Sequence, residues 1–326
     1  MSSKLSDYDY PLPKNLIAQR PLPRRDDSRM MLLYRDSHTI EHRNFRELKT
    51  FLHEGDLLVL NDTRVLAARL FSDDGAIEFL FLEKLEPARW KCLVKPGRKM
   101  RIGTTSKIGN VILLVEEVLL GGERIVSLNE DVDLYACGSM PLPPYIARQS
   151  DREDELRYQT VFARTPGAIA APTAGLHFTP ENLNELPHAF VTLHVGPGTF
   201  RPVQSENIFE HQMHPERFSI SAAAAGKINE AQRIVAVGTT TVRVLESARR
   251  EQGKVIAQIG STDIFIHPPY RFQSVDLLFT NFHLPKSTLL MLVSAFAGRE
   301  FVLRAYAEGI REQYRFYSYG DCMLIL

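Results

Sequence analysis

The segment IVAVGTTTVRVLE, residues 234–246, decides the fold class, because an apolar run of strand length passes through one glycine into a helical pattern. The segment DLLFTNFHLPKSTLLMLVSAF, residues 276–296, has the same order of a strand, a short polar loop and an apolar helix. On either side of these two segments, we predict a strand at 190–195 and a long helix at 301–314. Strands that alternate with helices favour an α/β sheet with helices on its faces.

Residues 67–146 have a different sequence pattern. Short apolar runs alternate there with glycines and charged turns, at 77–82, 90–94, 111–115 and 125–128. Runs of this length and spacing are typical of a small antiparallel sheet or barrel.

The chain before this region again resembles an α/β domain, with strands predicted at 30–34 and 56–60 and one helical face at 45–52. We therefore predict a discontinuous main α/β domain, residues 1–64 and 150–326, interrupted by an inserted β-barrel domain, residues 65–149.

The bulk composition excludes several classes of protein. The 326 residues include 39 basic and 39 acidic side chains, so any contact with RNA must come from local clusters of charge. The three cysteines form no zinc-binding pattern and fit a reducing compartment. The N-terminus lacks a signal-peptide pattern, and the apolar run 289–297 is far shorter than the roughly 20 residues of a membrane span. We expect a soluble, cytoplasmic protein without a metal.

Two strand-to-helix turns carry groups that suit an anion. Gly238 is followed by Thr239, Thr240 and Arg243, and the second turn places Asn281 and His283 before Lys286, Ser287 and Thr288. Free N–H groups at the start of a helix attract carboxylate or phosphate. The alternative is that these hydroxyls only cap the helices.

Two further segments suit ligand binding. The segment PGAIAAPTAGLHFT, residues 166–179, is uncharged apart from His177, and its small residues, Thr173 and Gly175 among them, favour close approach of a planar ligand. His194 precedes a glycine turn. A basic run in the barrel region, Lys95, Arg98, Lys99, Arg101 and Lys107, indicates either an RNA contact or a solvated face.

Nine segments, distributed from one end of the chain to the other, match the segments of one protein family in the same order, and the ordered set is very specific. They are GDLLVLNDTRVLAARL (55–70), MPLPPYI (140–146), RYQTVFA (157–163), PGAIAAPTAGLHFT (166–179), VTLHVGPGTFRPV (191–203), VAVGTTTVRVLES (235–247), TDIFI (262–266), TNFHLPKSTLLMLVSAFAG (280–298) and YRFYSYGD (314–321). Together they resemble the S-adenosylmethionine:tRNA ribosyltransferase-isomerases of queuosine biosynthesis. Ser139, Pro197 and His267 depart from the residues usual in that family.

The resemblance implies an α/β domain with an inserted β-barrel. It also implies a substrate, tRNA that carries 7-aminomethyl-7-deazaguanine at the wobble position. The ribosyl part of S-adenosylmethionine is transferred to this base and isomerised, adenine and methionine leave, and epoxyqueuosine results. No metal and no cofactor beyond the co-substrate S-adenosylmethionine are implied.

This chemistry needs groups that accept and donate protons near neutral pH. The catalytic candidates are His177, His194, His283, Asp62 and Asp321. The candidates for binding S-adenosylmethionine are Thr173, Gly175, Thr239, Thr240, Arg243, Asn281, Lys286, Ser287 and Thr288. The candidates for binding tRNA are Arg20, Arg64, Arg69, Lys95, Arg98, Lys99 and Arg101. We expect a monomer, since no helix face is apolar enough for an obligate interface.

Three other functions remain open at this point. An RNA methyltransferase would use the same donor, although the glycine-rich turn of the common version is missing after the first strand. A noncatalytic RNA-binding protein would not need the histidines at strand ends. A structural α/β protein would not bind the donor at all.

Overall fold

The computed structural model describes residues 3–200, 203 and 205–326. The chain forms two compact units. The first contains residues 1–64, 144–148 and 159–326, and the second contains residues 65–143 and 149–158. The predicted domain boundary lay between residues 149 and 150. In the structure, Pro144–Arg148 belongs to the first unit, and the next ten residues, Gln149–Tyr158, belong to the second.

The described residues contain nineteen strands. In chain order they are β1 (Arg29–Tyr34), β2 (Thr39–Asn44), β3 (Asp56–Asn61), β4 (Thr63–Val65), β5 (Arg69–Phe71), β6 (Glu78–Glu86), β7 (Arg89–Lys95), β8 (Thr105–Ile108), β9 (Val111–Val118), β10 (Arg124–Leu128), β11 (Thr165–Ala168), β12 (His188–Leu193), β13 (Glu216–Ile220), β14 (Arg233–Val237), β15 (Arg250–Glu251), β16 (Lys254–Val255), β17 (Gln258–Thr262), β18 (Leu277–Asn281) and β19 (Cys322–Ile325).

The helices fall into two groups. The α-helices are α1 (Leu134–Cys137), α2 (Arg152–Arg157), α3 (Pro180–Asn184), α4 (Ala222–Glu230), α5 (Thr239–Ser247), α6 (Thr288–Ala297) and α7 (Arg299–Arg311). Short 3-10 helices lie at Leu5–Tyr8, Lys14–Leu16, Arg25–Asp27, Phe45–Phe51, Gly97–Lys99, Thr173–His177, Pro197–Phe200 and Ile208–Glu210. Among the described residues, no helix combines the length and the apolar character needed to cross a lipid bilayer.

The first unit is built on a nine-stranded sheet with the order β17-β13-β12-β3-β14-β18-β19-β1-β2. Its four central strands, β12, β3, β14 and β18, are parallel to one another. They are almost entirely buried, as expected for strands covered on both faces. The predicted α/β sheet is confirmed, and both predicted strand-to-helix steps are present, into α5 at Thr239 and into α6 at Thr288.

The second unit contains a six-stranded antiparallel sheet with the order β5-β6-β7-β10-β9-β8. The N–H of Asp73, just after β5, donates to the carbonyl of Lys107 in β8 at 2.9 Å, so the two edges of the sheet meet and the sheet is nearly closed. Apolar side chains fill its interior, with Phe79, Phe81 and Trp90 fully buried. The prediction of a small antiparallel barrel is confirmed.

Several features of the first unit differ from the sequence predictions, and three of them are described here. The helical face at 45–52 is a 3-10 helix that ends at Phe51, and Asn44 and Glu47 form a capping box at its start. The strand predicted at 190–195 begins two residues earlier. The C-terminal strand β19 was not predicted; it lies fully buried between β18 and β1, antiparallel to the first and parallel to the second.

Candidate active site

Polar groups follow the ends of all four central strands of the large sheet. Asp62 directly follows β3, and His194 directly follows β12. Thr239 lies two residues beyond β14, and His283 lies two residues beyond β18. Parallel strands end at the same edge of a sheet, which is where α/β proteins place their ligands. Asp321 lies at this edge as well, because β19 runs antiparallel to β18 and pairs Cys322 with the last residue of β18.

His194 is held by residues at the end of β3. Its Nδ1 atom lies 2.9 Å from the hydroxyl of Thr63. Beside it, Thr192 donates a hydrogen bond of 2.6 Å to Asp62 Oδ1. Burial, and then the charge of Arg217, lower the pKa of His194, whereas Asp62 opposes the shift. The half-buried imidazole is therefore neutral at neutral pH.

Gly167 makes room for the His194 ring. A Cβ atom at this position would lie 2.7 Å from the ring, and the φ angle of +151° is one that side chains other than glycine rarely adopt. Gly167, in the segment 166–179, thus lies against a catalytic candidate that directly follows β12.

His177 lies next to Ser28. Its Nδ1 atom is 2.6 Å from the Ser28 hydroxyl. Burial lowers the pKa of His177 to about 4; the positive charges of Arg25 and Arg315 act in the same direction, and the Asn281 side chain partly offsets the shift. Although Asn281 is close enough to have this effect, neither His177 Nε2 nor Asn281 Oδ1 has a hydrogen-bond partner in the described structure.

His283 is the third buried imidazole. Its Nε2 atom lies 2.9 Å from the hydroxyl of Thr280. Its backbone N–H donates to the Tyr306 hydroxyl at 2.9 Å, and its carbonyl accepts a hydrogen bond from the Tyr10 hydroxyl. Burial alone lowers the pKa of His283 to about 3.

The hydroxyl partner of each imidazole either donates to the ring nitrogen or accepts an N–H from it, depending on the tautomer. A hydroxyl has one proton to donate and two lone pairs. Each of these hydroxyls has a carbonyl oxygen within reach: Arg25 for Ser28 at 3.2 Å, Thr165 for Thr63 at 3.5 Å, and Asn281 for Thr280 at 3.4 Å. When the hydroxyl proton goes to the carbonyl, the oxygen accepts an N–H from the imidazole. The opposite nitrogen then carries a lone pair: Nε2 in His177 and His194, and Nδ1 in His283.

Asp321 is tied to the backbone on both sides. Its two carboxylate oxygens accept N–H groups from Arg29 at 2.9 Å and Arg315 at 2.8 Å. Burial raises the pKa of Asp321, and these hydrogen bonds oppose the rise. The carboxylate therefore holds together the start of β1 and the turn before β19.

Both cations proposed for the anion site already have carboxylate partners. The Arg243 guanidinium is paired with Glu216, and Glu216 also accepts the Gly196 N–H at 2.8 Å. Lys286 Nζ lies 2.9 Å from Asp9. Ser287 caps α6 through the N–H of Leu290 at 3.2 Å, which is the alternative given for these hydroxyls.

The remaining candidates for binding S-adenosylmethionine include residues that are not engaged in an ion pair. The Thr240 hydroxyl is buried and has no partner among the described residues. Thr173 and Gly175 lie in the 3-10 helix that ends at His177. A Cβ atom on Gly175 would be 2.8 Å from Phe162 and from Thr160, so the backbone there approaches the protein's own side chains closely.

The basic candidates for tRNA binding divide between the units. In the second unit, Lys95, Arg98, Lys99 and Arg101 are exposed, but the guanidinium of Arg69 lies 2.9 Å from Glu78 and donates to the Leu142 carbonyl at 2.9 Å. In the first unit, Arg20 and Arg64 are exposed. Among the described residues, no group of three or more His, Cys, Asp or Glu side chains could hold a metal ion.

Comparisons with known proteins cover almost the whole chain. The model of the family described as queuosine biosynthesis protein matches residues 5–325. The chain belongs to this family. An S-adenosylmethionine:tRNA ribosyltransferase-isomerase of Symbiobacterium thermophilum is 51% identical over 342 aligned positions, covering 99% of this chain and all of the relative. The protein of that name from Halothermothrix orenii is 48% identical with the same coverage.

A solved structure is similar as well. The crystal structure of S-adenosylmethionine tRNA ribosyltransferase from Thermotoga maritima is 42% identical in sequence, with a TM-score of 0.57 over 98% of this chain and all of that one. The family resemblance inferred from the ordered segments is confirmed.

Sequence reasoning missed several residues of this queuosine-family site. Ser28, Thr192 and Thr280 contact site residues through single hydroxyls, and nothing in their local sequence distinguishes them from other hydroxyl residues. Thr63 stood in a visibly polar turn after a predicted strand, a signal that could have found it. Tyr317, whose carbonyl accepts the Asn281 amide at 3.0 Å, becomes a neighbour only through the unpredicted strand β19.

The buried imidazoles predict a stability that falls in acid. His283 has a pKa near 3 in the folded protein and about 6.5 when unfolded, so between these values the unfolded chain binds a proton that the folded protein does not. The free energy of unfolding must then decrease as the pH falls from 6.5 towards 4. In His283→Asn this dependence becomes shallower, as measured by denaturant unfolding at a series of pH values.

The exposed His38, changed to Asn, is the matched control and keeps the wild-type slope. Carboxylates contribute equally to all three proteins, so the difference between slopes isolates the His283 imidazole. Identical slopes for wild type and His283→Asn would show that this imidazole is not held neutral.

Proposed function

We propose that this chain transfers the ribosyl moiety of S-adenosylmethionine to 7-aminomethyl-7-deazaguanine at the wobble position of tRNA. The moiety is isomerised, epoxyqueuosine-tRNA forms, and adenine and methionine are released. Membership of the queuosine biosynthesis family along the whole chain supports this, together with the activity named for relatives about half identical to it. The observation that carries the proposal is the set of three neutral imidazoles at one edge of the sheet.

The first step requires a base. The sulfonium of the donor acidifies the adjacent ribose carbon, and a neutral imidazole with a free lone pair is the form that removes a proton. His194 suits this role best, because it is only half-buried and Thr63 holds Nδ1, which leaves Nε2 as the basic nitrogen.

The later steps require a group that accepts a proton from the aminomethyl nitrogen and a group that helps adenine leave. His283, Asp62, His177 and Asp321 are the remaining candidates. Asp62 shares its edge position with His194 and lowers the free energy of the imidazolium once His194 has taken up a proton. Asp321 binds two backbone N–H groups, so we assign it to positioning rather than to proton transfer.

The remaining parts of the proposal concern partners and setting. We infer that tRNA contacts the exposed basic residues of the second unit, since basic side chains neutralise phosphates. The enzyme acts as a monomer in the cytoplasm, and S-adenosylmethionine is its co-substrate, with no further cofactor.

Product analysis tests the reaction. The purified protein is incubated with S-adenosylmethionine and tRNA that carries 7-aminomethyl-7-deazaguanine, and the small molecules and digested nucleosides are analysed by mass spectrometry. We expect adenine, methionine and an epoxyqueuosine nucleoside in equal amounts. S-adenosylhomocysteine instead would identify a methyltransferase, and no turnover by folded protein would favour an RNA-binding function.

The same assay tests the base. His194→Asn should lower kcat by roughly 10²–10⁴-fold, the usual contribution of a positioned acid or base. His188→Asn is the matched control, because His188 lies at the other end of the same strand, and it should remain within about twofold of wild type. Comparable losses in the two variants, or none in His194→Asn, would remove His194 from this role.

The basic run of the second unit gives a separate prediction. The double variant Arg98→Ala/Lys99→Ala should raise KM for tRNA several-fold. The slope of the tRNA binding constant against salt concentration, on logarithmic axes, should fall by the amount expected for the loss of about two phosphate contacts. KM for S-adenosylmethionine should not change. Lys254→Ala/Arg271→Ala, which also removes one exposed lysine and one exposed arginine, is the control. Equal effects of the two double variants on tRNA binding would contradict the assignment.

A further inference from the structure

A polar cleft opens at one end of the large sheet, where β1 begins and β2 ends. It has a volume of about 360 Å³. All five residues that line it are charged or polar: Arg29, His42, Arg43, Asn44 and Glu47. Pockets for small uncharged molecules are lined mainly by apolar side chains, so this lining suits a charged ligand instead. None of the five residues is among the sequence candidates for binding or catalysis.

Arg29 is the cation of this cleft that is held in place without a carboxylate. Its guanidinium lies over the Tyr314 ring, 3.8 Å from the centroid, and donates to the Glu312 carbonyl at 2.6 Å. Among the described residues, no carboxylate forms an ion pair with it. Asp321 is near enough for the charge of Arg29 to act on it, but it accepts the backbone N–H of Arg29. A guanidinium has five N–H donors, more than Glu312 and Tyr314 engage, so donors remain for a ligand.

Arg43 is the second cation, and its charge is shared with carboxylates. Its guanidinium lies 2.5 Å from Glu41 and 3.9 Å from Glu47. Glu47 is also engaged with the backbone, since it accepts the Asn44 N–H at 2.8 Å. The two arginines and one glutamate that line the cleft leave one positive charge in excess, and Arg29 carries it.

The cleft lies beside a catalytic candidate along both of its strands. Ser28, the residue before Arg29, contacts the His177 ring through its hydroxyl at 2.6 Å. Phe45, the residue after Asn44, packs against the same ring with a centroid distance of 5.7 Å. Because Arg29 and Asn44 pair across β1 and β2, both strands lead directly from the cleft to His177. A group bound in the cleft is therefore next to the candidate active site.

Two arginines select an oxyanion, and the planar fork of a guanidinium matches the geometry of phosphate. Of the two proposed substrates, S-adenosylmethionine has no phosphate, and its one carboxylate is accompanied by its own ammonium group. The tRNA presents a phosphate on each side of the wobble nucleotide. Four of the five lining residues are half-buried and Asn44 is exposed, so the cleft is open to solvent. An open cleft suits a backbone that continues beyond it in both directions.

We propose that this cleft binds a phosphodiester of the tRNA anticodon loop next to the wobble nucleotide. Arg29 makes the main contact with the phosphate, and Arg43 makes the second. This rests on the proposed function, because it takes tRNA to be the substrate. The contact determines where the wobble nucleotide lies along the edge of the sheet, so it contributes to positioning as well as to affinity.

The test measures binding of an anticodon stem-loop RNA to the full-length protein by fluorescence anisotropy at a series of salt concentrations. Arg29→Gln should weaken binding by roughly tenfold, the effect of losing one hydrogen bond to a charged group. The slope of the binding constant against salt concentration, on logarithmic axes, should fall by about 0.7, the value for one phosphate contact of a single strand. Affinity for S-adenosylmethionine should not change.

Arg35→Gln is the matched control, because Arg35 directly follows the other end of β1. Its guanidinium also lies over an aromatic ring, that of Phe296 at 4.3 Å. It also donates to backbone carbonyls, at Leu326 and Asp276. The variant removes the same kind of side chain from the opposite edge of the sheet, so it should keep the wild-type affinity and slope.

Replacement of single phosphates by uncharged methylphosphonates locates the contact. On one side of the wobble nucleotide, this replacement should weaken binding to wild type but cause little further loss in Arg29→Gln, because the interaction is then already absent. If Arg29→Gln does not fold, Arg43→Gln takes its place in both measurements.

Unchanged affinity and slope in the variant, the same loss in Arg35→Gln, or additive losses for the variant and each methylphosphonate would overturn the proposal. Weaker binding of S-adenosylmethionine with unchanged binding of the stem-loop would overturn it too, and would assign the cleft to the carboxylate of the donor. So would inorganic phosphate that binds as tightly as the stem-loop.

Product analysis separates this failure from failure of the proposed function. Turnover to epoxyqueuosine by wild type, with an unaltered slope in Arg29→Gln, would reject the cleft alone. Stem-loop binding that depends on Arg29 in a protein without turnover would reject the reaction and keep the phosphate contact.

Discussion

The parallel pairing of β12, β3, β14 and β18 is the constraint on which the rest of the structure depends. Backbone hydrogen bonds fix the register of these strands, so that Val191 lies opposite Asn61, and Leu60 lies opposite Val237. All four strands then end at one edge, and residues more than two hundred positions apart in the chain meet there. Because a shift of one residue would turn every buried side chain to the other face, the site is no more adjustable than the core beneath it.

Burial at this edge has a chemical consequence. The same apolar packing that stabilises the sheet removes water from three imidazoles and makes their charged forms unfavourable. Each imidazole has a serine or threonine hydroxyl on one nitrogen, which keeps it oriented without supplying a counter-charge. A carboxylate in place of these hydroxyls would raise the pKa values instead. Burial and neutral hydroxyl partners thus favour the uncharged form of all three imidazoles.

The sequence predicts the fold well where a local pattern exists. The glycine at 238 and the apolar run 289–297 identified two strand-to-helix steps, and the alternating runs identified the barrel. It predicts poorly what depends on partners far along the chain. The four residues of β19 have no sequence pattern that indicates a strand. They form one because they pair with β18 on one side and β1 on the other. Charge partners are missed for the same reason: Arg243 lies in a helix turn that suits an anion, but Glu216, from a strand that was not predicted, pairs with it. The individual roles of the candidate residues stay predictions.

The account depends on three imidazoles that are neutral and have a fixed tautomer, and nitrogen-15 NMR of the histidine side chains tests this directly. At pH 7, His177, His194 and His283 should all be neutral, with the proton on Nδ1 in the first two and on Nε2 in the third, and each should titrate below the usual value near 6.5. Assignment of the signals by single His→Asn variants identifies each ring. Signals that titrate near pH 6.5, or that show a mixture of tautomers, would contradict the account.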